Sequence, residues 1–280
     1  MKLQFTKMHG TGNDYIYFNC FEQEIANPEQ LAVRLSDRHF GIGGDGIVLI
    51  CPSDSADAKM RMFNADGSEG MMCGNATRCV GKYMYDHGMI SQPRMTLETL
   101  SGIKVLDMVA ENGKVTRVTV DMGKAILKPS DIPARFTGET AVAVPLTADG
   151  VTYAVTCVSM GNPHCVVFMD EDVSTLDLPA IGPAFEHHAM FPERVNTEFI
   201  RVIDDHTLQM RVWERGSGET WACGTGACAA AVAAVLNGFC QKGEDITIHL
   251  RGGDLSIRCT DDAVFLSGSA VTVFDGCVEV

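Results

Sequence analysis

Polar and apolar positions alternate over 3–8, which predicts a strand. HGTGND (9–14) reads as a turn, and 16–18 as the next strand. Asn27 before Pro28 predicts a capped helix over 28–35. GIGGDG (41–46) has the letters of a dinucleotide-binding fingerprint. That fingerprint needs a strand before it and a helix after it. Here a helix precedes and the apolar strand 47–50 follows, so nucleotide binding is set aside. A strand over 59–63 and a turn over 64–70 lead to a helix that opens at Cys73-Gly74-Asn75 and stops at Gly88. Short strands with turns such as Asn112-Gly113 fill 94–122. The proline-rich stretch 129–138 is a connection. Strands follow at 141–146, 151–158 and 166–169, a helix at 179–188, and strands at 195–203 and 208–213. The Gly-rich loop before Ala227 runs into a charge-free apolar segment, 227–236, which reads as a buried helix with Cys223 at its start. Strand-like segments continue to 280, and no flexible linker or low-complexity tract interrupts the chain.

The 280 residues are enough for one large domain or two of ordinary size. An apolar content of 46% fits a globular protein. The net charge of −14 argues against nucleic acid or an anionic membrane as partner, but leaves room for a locally positive site that takes a small anion. The N-terminal stretch has no signal-peptide apolar core, and no apolar run is long enough to span a bilayer. Eleven cysteines, an odd number, are expected as reduced thiols in the cytoplasm rather than as a disulfide framework.

One offset recurs along the chain. Cys73 and Cys223 are 150 positions apart, each is followed by glycine, and each has a glutamate four residues earlier, Glu69 and Glu219. Gly88 and Gly238, the expected helix ends, keep the offset of 150, as do Leu49 and Phe199 in corresponding strands. The loop 8–13 resembles 159–162, with Asn13 and Asn162 149 apart. Thr96 and Thr247 are 151 apart. Two homologous α/β halves are expected, each with one cysteine at the head of a helix.

A helix N-terminus presents unpaired N–H groups and a positive dipole end, so a thiol there is expected to ionise more readily than a free one. Taken alone, Cys223 is more readily read as a small buried hydrophobe, as most cysteines are. The repeat changes that reading. Two equivalent halves about a twofold axis would bring two thiols to opposite sides of one carbon atom. That arrangement suits inversion of a stereocentre, one thiolate removing a proton and the other thiol returning one to the opposite face. The helix heads would receive the adjacent carboxylate. No pyridoxal cofactor is needed, and lysines are few near the motifs.

HGTGND (9–14), FNADGSE (63–69), CGN (73–75), SMGNPHCV (159–166), RVN (194–196), ERGSGET (214–220) and ACGTGACA (222–229) together resemble the diaminopimelate epimerase family, in the right order and over nearly the whole chain. The resemblance implies an α/β fold of two pseudo-symmetric halves, each a curved sheet around a central helix. The last strand returns to the first half, giving 1–121 with 269–280 around Cys73, and 122–268 around Cys223. It implies cofactor-independent conversion of LL- to meso-2,6-diaminopimelate, with no metal, by a homodimer. Cys73 and Cys223 would be the acid–base pair, His164 supporting Cys73 and Glu214 supporting Cys223. Gly74, Asn75, Gly224 and Thr225 would hold the reacting carboxylate. Asn13, Asn64, Asn162, Asn196, Arg215 and Glu214 would hold the rest of the substrate. An arginine and a glutamate suit a distal zwitterion. The chain departs from the family at Ala76, where glycine is common, and at Gly46, where some members carry glutamine.

Blander readings stand beside these. His164 alone could be a structural histidine. Asn13, Asn64 and Asn162 lie in turns that favour asparagine. Glu214 and Arg215 could be a solvated pair. Cys79 and Cys228 are read as packing residues, and His187-His188 as adjacent helical residues that do not converge on a metal. A proline racemase relative is the first alternative, weakened by the distal charges. A thiol switch or zinc module at Cys73/Cys79 and Cys223/Cys228 is the second, and its spacings are not the usual ones.

Overall fold

The computed structural model describes residues 2–280. Internal contacts group them into two units, Met1–Asp121 with Ser267–Val280, and Met122–Leu266. The first unit contains β1 (Lys2–Gly10), β2 (Asn13–Asn19), α1 (Pro28–Ser36), β3 (Gly46–Cys51), β4 (Ala58–Asn64), β5 (Glu69–Gly70), α2 (Gly74–Asp86), β6 (Arg94–Thr99), β7 (Gly102–Glu111) and β8 (Lys114–Asp121). The second contains β9 (Val144–Ala148), β10 (Val151–Ser159), β11 (Pro163–Phe168), α3 (Leu178–Glu186), β12 (Asn196–Asp204), β13 (Thr207–Glu214), β14 (Gly218–Thr220), α4 (Gly224–Leu236), β15 (Asp245–Leu250) and β16 (Gly253–Cys259). Then come β17 (Val264–Gly268) and β18 (Val271–Glu279), and β18 returns to lie antiparallel along β1.

The ladders repeat in the same order. In the first unit β1–β2 is antiparallel, β2–β3 parallel and β3–β4 antiparallel. In the second, β10–β11, β11–β12 and β12–β13 follow that order. The parallel pairs β4–β6 and β13–β15 each bridge across a central helix. Those helices, α2 and α4, are both 13 residues long and start 150 positions apart, at Gly74 and Gly224. α2 packs on β1, β2, β7 and β8, and α4 on β10, β11, β12, β15 and β16. Because sheet surrounds it, α4 is buried without a break from Gly226 to Ala234, which is why its sequence has no polar stripe. The outer helices α1 and α3 each cover a separate apolar cluster, around Phe18 and Phe63 in one unit and around Phe185 and Phe199 in the other. Among the described residues no helix is long and apolar enough to cross a membrane.

Several local expectations are corrected. The turn over 9–14 shrinks to Thr11 and Gly12, whose φ of 56° and 80° make the two-residue hairpin turn that matches strand twist. Asn13 is therefore the first residue of a strand. Asn27 takes a left-handed backbone, φ 50°, and its side chain makes no cap; Pro28 alone marks the helix start. The strand expected from 141 begins at Val144, because Ala143 has φ 50°. Helix α3 stops at Glu186, so His187 and His188 lie beyond it, and His188 bonds the Thr147 carbonyl. Asn112 and Gly113, at φ 52° and 77°, make the expected hairpin.

Candidate active site

The two central helices begin alike. Cys73 is the N-cap of α2 and Cys223 the N-cap of α4, both with extended backbone. The carbonyl of each accepts the first helical bond at 2.9 Å, from Thr77 and from Ala227. The N–H groups of Gly74, Asn75, Gly224 and Thr225 thus fall in first turns, where a helix leaves its donors for outside acceptors.

Around Cys73 the hairpin closes in. The Cys73 thiol donates to Asn13 Oδ1 at 3.3 Å, and Asn75 Nδ2 donates to the same oxygen. Asn13 Nδ2 donates in turn to Asp45 at 2.6 Å. The Asn75 Oδ1 atom is buried without a hydrogen-bond partner. Asn64 Nδ2 donates to Ser68 within its own turn. Beneath the helix head lies a fully buried arginine. Arg78 donates to the Gly74 carbonyl, the Thr11 hydroxyl and the Ser269 carbonyl at 2.8–3.3 Å. It ties the hairpin to the first turn of α2. A side chain on Gly10 would collide with it, a Cβ falling 3.0 Å from Nη2.

Around Cys223 a continuous chain of contacts forms. The sulfur accepts from Gly226 N at 3.4 Å and lies 3.5 Å from Thr225 Oγ1. Asn162 Nδ2 donates to that hydroxyl, and Asn162 Oδ1 faces His164 Nε2 at 3.0 Å. His164 Nδ1 lies 2.7 Å from Glu198 Oε1, and both side chains are wholly buried. Glu214 accepts from the Thr220 hydroxyl, and its carboxylate acts on Cys223 as a nearby negative charge. A third group holds the loop after β13. Asn196 Oδ1 accepts from Arg215 N at 3.0 Å, and the Arg215 guanidinium donates to the Glu193 carbonyl. Glu186 accepts from Trp213 Nε1 at 2.7 Å and from Gly216 N at 2.9 Å.

The model of the diaminopimelate epimerase family matches residues 5–128 and 156–273. The chain belongs to that family and is an isomerase. Diaminopimelate epimerases of Acetivibrio thermocellus and Desulfovibrio desulfuricans are each 55% identical to it, the first over 99% of both chains, the second over 98% of this chain and 97% of its own. That of Methanococcus maripaludis is 53% identical over 99% of this chain and all of its own. Among solved structures, a probable proline racemase from Agrobacterium radiobacter aligns with a TM-score of 0.73 at 14% identity, over 99% of this chain and 92% of that one. A phenazine biosynthesis protein from Bacillus anthracis aligns at 0.70 and 14% over all of both chains. These two share the fold.

For this member of the diaminopimelate epimerase family, one electrostatic expectation is reversed. Cys223 sits at a helix head, yet its pKa is held well above the ordinary 9.0. Burial is the largest cause, and the nearby carboxylates of Glu214 and Glu198 add to it. The bonds from Thr225 and Gly226 pull the other way and lose. Burial also raises the Glu214 carboxyl, against the bonds from Thr220 and Cys223. The thiol and the carboxyl are thus both held toward their protonated forms.

Arg78, Glu186 and Glu198 were missed in the sequence. Each has a signal there. A charged residue stands inside a helix bounded by apolar positions (Arg78), at a helix end before two histidines (Glu186), or in the strand segment NTEFI (Glu198). A lone charge in such a run is buried only when paired or hydrogen-bonded, and the sequence does not show the partner. Among the described residues no cluster of three histidine, cysteine or acidic side chains could hold a metal ion.

Proposed function

We propose that this enzyme converts LL-2,6-diaminopimelate to the meso isomer with Cys73 and Cys223 as the acid–base pair. One observation carries the reading: in a chain of this family, two equivalent 13-residue helices each begin at a cysteine. A thiolate removes the α-proton, breaking C–H and forming S–H. The electron pair passes into the adjacent carboxylate, whose oxygens take hydrogen bonds from the N–H groups of Gly74, Asn75, Gly224 and Thr225. The opposite thiol then delivers its proton to the other face, and the two cysteines have exchanged roles. The overall proton count is unchanged, so no redox or carbonyl cofactor is required by the step.

Glu214 receives the Cys223 proton when that side acts as base, and its place as a carboxylate close enough to act on Cys223 supports this. His164 serves Cys73 in the same way. Asn13, Asn64, Asn162, Asn196 and Arg215 bind the rest of the substrate, with Glu214 near the distal ammonium. The backbone of Arg215 is already anchored on Asn196 and its guanidinium on the Glu193 carbonyl, a bond the side chain would exchange for one to the substrate. On family grounds the reaction feeds lysine and peptidoglycan precursor synthesis, in the cytoplasm, by a homodimer.

Incubation with LL-diaminopimelate in deuterium oxide tests the reading. Deuterium is expected at the α-carbon together with meso product. An enzyme that leaves this substrate unlabelled but labels proline would sink it in favour of the racemase alternative.

A further inference from the structure

Cys20 and Cys51 have no part in the scheme above. Cys20 directly follows β2, and Cys51 is the last residue of β3. These strands run parallel with Asn19 opposite Ile50, and the Cys20 N–H donates to the Ile50 carbonyl at 2.8 Å. The next residues along, Cys20 and Cys51, therefore stand side by side. Neighbouring strands lie about 4.7–4.9 Å apart. A disulfide spans roughly 4.4–6.8 Å between Cα atoms, so this spacing suits one. Both cysteines are free and partly exposed, and both line one cavity of about 430 Å³ with Phe21, Glu22, Leu49 and Arg61. A second facing pair lacks that access. Cys157 and Cys165 are opposite each other on β10 and β11, but only 1% and 0% exposed.

The surroundings make the two thiols of the first pair unlike. Lys59 stands opposite Cys51 in the β3–β4 register, and Arg61 stands opposite Leu49 on the same face. Their own partners are Glu98 and Glu69, at 2.9 and 2.7 Å. The Cys20 thiol holds Cys51 below its ordinary 9.0; burial and Glu69 oppose this, and Arg61 and Lys59 assist. The same contact, with burial, holds Cys20 high. An oxidisable pair needs one sulfur that attacks as thiolate and a second close enough to displace the product.

We propose that Cys20 and Cys51 form a reversible disulfide site that reacts with hydroperoxides, with Cys51 as the attacking sulfur and Cys20 as the resolving one. The Cys51 sulfur attacks one peroxide oxygen. The O–O bond breaks, an S–O bond forms, and the displaced hydroxide leaves as water with the thiol proton. The Cys20 sulfur then attacks the sulfenic acid. The S–S bond forms, the S–O bond breaks, and a second water leaves with the Cys20 proton. In sum two thiols are oxidised to a disulfide and one peroxide is reduced to two waters. A dithiol reductant reverses the change and becomes a disulfide itself. The inference uses no step of the proposed epimerisation, so either can fail without the other.

The test starts from the reduced full-length chain and hydrogen peroxide in slight excess. Remaining thiols are blocked with iodoacetamide, and peptides are mapped by mass spectrometry without reduction. A Cys20–Cys51 link is expected in most molecules and should vanish with dithiothreitol, while Cys157 and Cys165 stay reduced. Cys20→Ser keeps a hydroxyl beside Cys51, so Cys51 should stop at the sulfenic acid and be captured by dimedone. Cys51→Ser should leave Cys20 reacting at least about tenfold more slowly than Cys51 does in wild type. The proposal is overturned if both thiols stay free while other cysteines of the chain oxidise, or if Cys51 passes to sulfinic acid with no link to Cys20. Dimedone capture that is faster at Cys20 than at Cys51 overturns the assignment of roles. Should either variant fail to fold, the wild-type map alone decides.

Discussion

The heads of α2 and α4 share a backbone and differ in charge. Beneath α2 lies a buried cation, Arg78, bonded to the first-turn carbonyl of Gly74. The position 150 residues on is Cys228, wholly buried in α4. Beneath α4 lies a buried anion, Glu198, whose counterpart 150 residues back is Val48. The glycine that makes room for Glu198, Gly226, corresponds to Ala76 in α2. The alanine that departs from the family pattern is thus in the half whose strand carries no such carboxylate. A duplicated scaffold has kept its geometry while its electrostatics diverged. On the proposed two-thiol scheme that divergence is useful. If both heads equally favoured thiolates, no proton donor would be ready, and if both favoured thiols, no base.

The strongest way to break the comparison is to remove each cysteine in turn. Cys73→Ala and Cys223→Ala should each lower epimerisation by about a thousandfold or more, since each removes one of two required proton carriers. Each variant should still exchange the α-proton of one isomer, and the two should differ in which. Retained epimerisation in either variant would end the two-thiol scheme.

A smaller effect probes the cation. Arg78→Met leaves the Gly74 and Ser269 carbonyls and the Thr11 hydroxyl without their donor. It should cost about 3 kcal/mol in urea unfolding. It should also slow alkylation of Cys73 while leaving Cys223 unchanged. A variant that unfolds at the wild-type urea concentration would show that Arg78 does not hold the hairpin to α2.

The smallest effect is a slope with pH. The folded pKa of Cys223 lies above its ordinary 9.0, so the folded chain keeps this proton after the unfolded chain has lost it. That contribution is fully present below pH 9.0 and is lost as the pH rises toward the folded value. Thermal stability should therefore fall above that pH, and Cys223→Ser should flatten the fall. An equal slope in wild type and variant would mean that burial does not raise this thiol.

Much of this was legible before any coordinates. The 150-residue offset predicted two similar halves, and the helices at Gly74 and Gly224 start with that spacing. The charge-free stretch 227–236 predicted a helix covered on every side. Local geometry was less legible. HGTGND read as one turn, but only Thr11 and Gly12 turn, and this puts Asn13 on a strand facing the Cys73 thiol. Hairpin tightness depends on the register of two strands, which turn composition alone leaves open.

What the sequence determined by itself was the periodic, local part. It set which segments are helices, where glycine and proline end them, that the chain repeats, and that a cysteine begins each central helix. These follow from side-chain size and backbone freedom within a few residues. Tertiary structure decided the charge around each thiol. A helix-head argument expected both cysteines to ionise easily. At Cys223 burial and two carboxylates reverse it, one of them 25 residues upstream in the chain. Desolvation and Coulomb terms depend on distance in space, and strand pairing sets that distance.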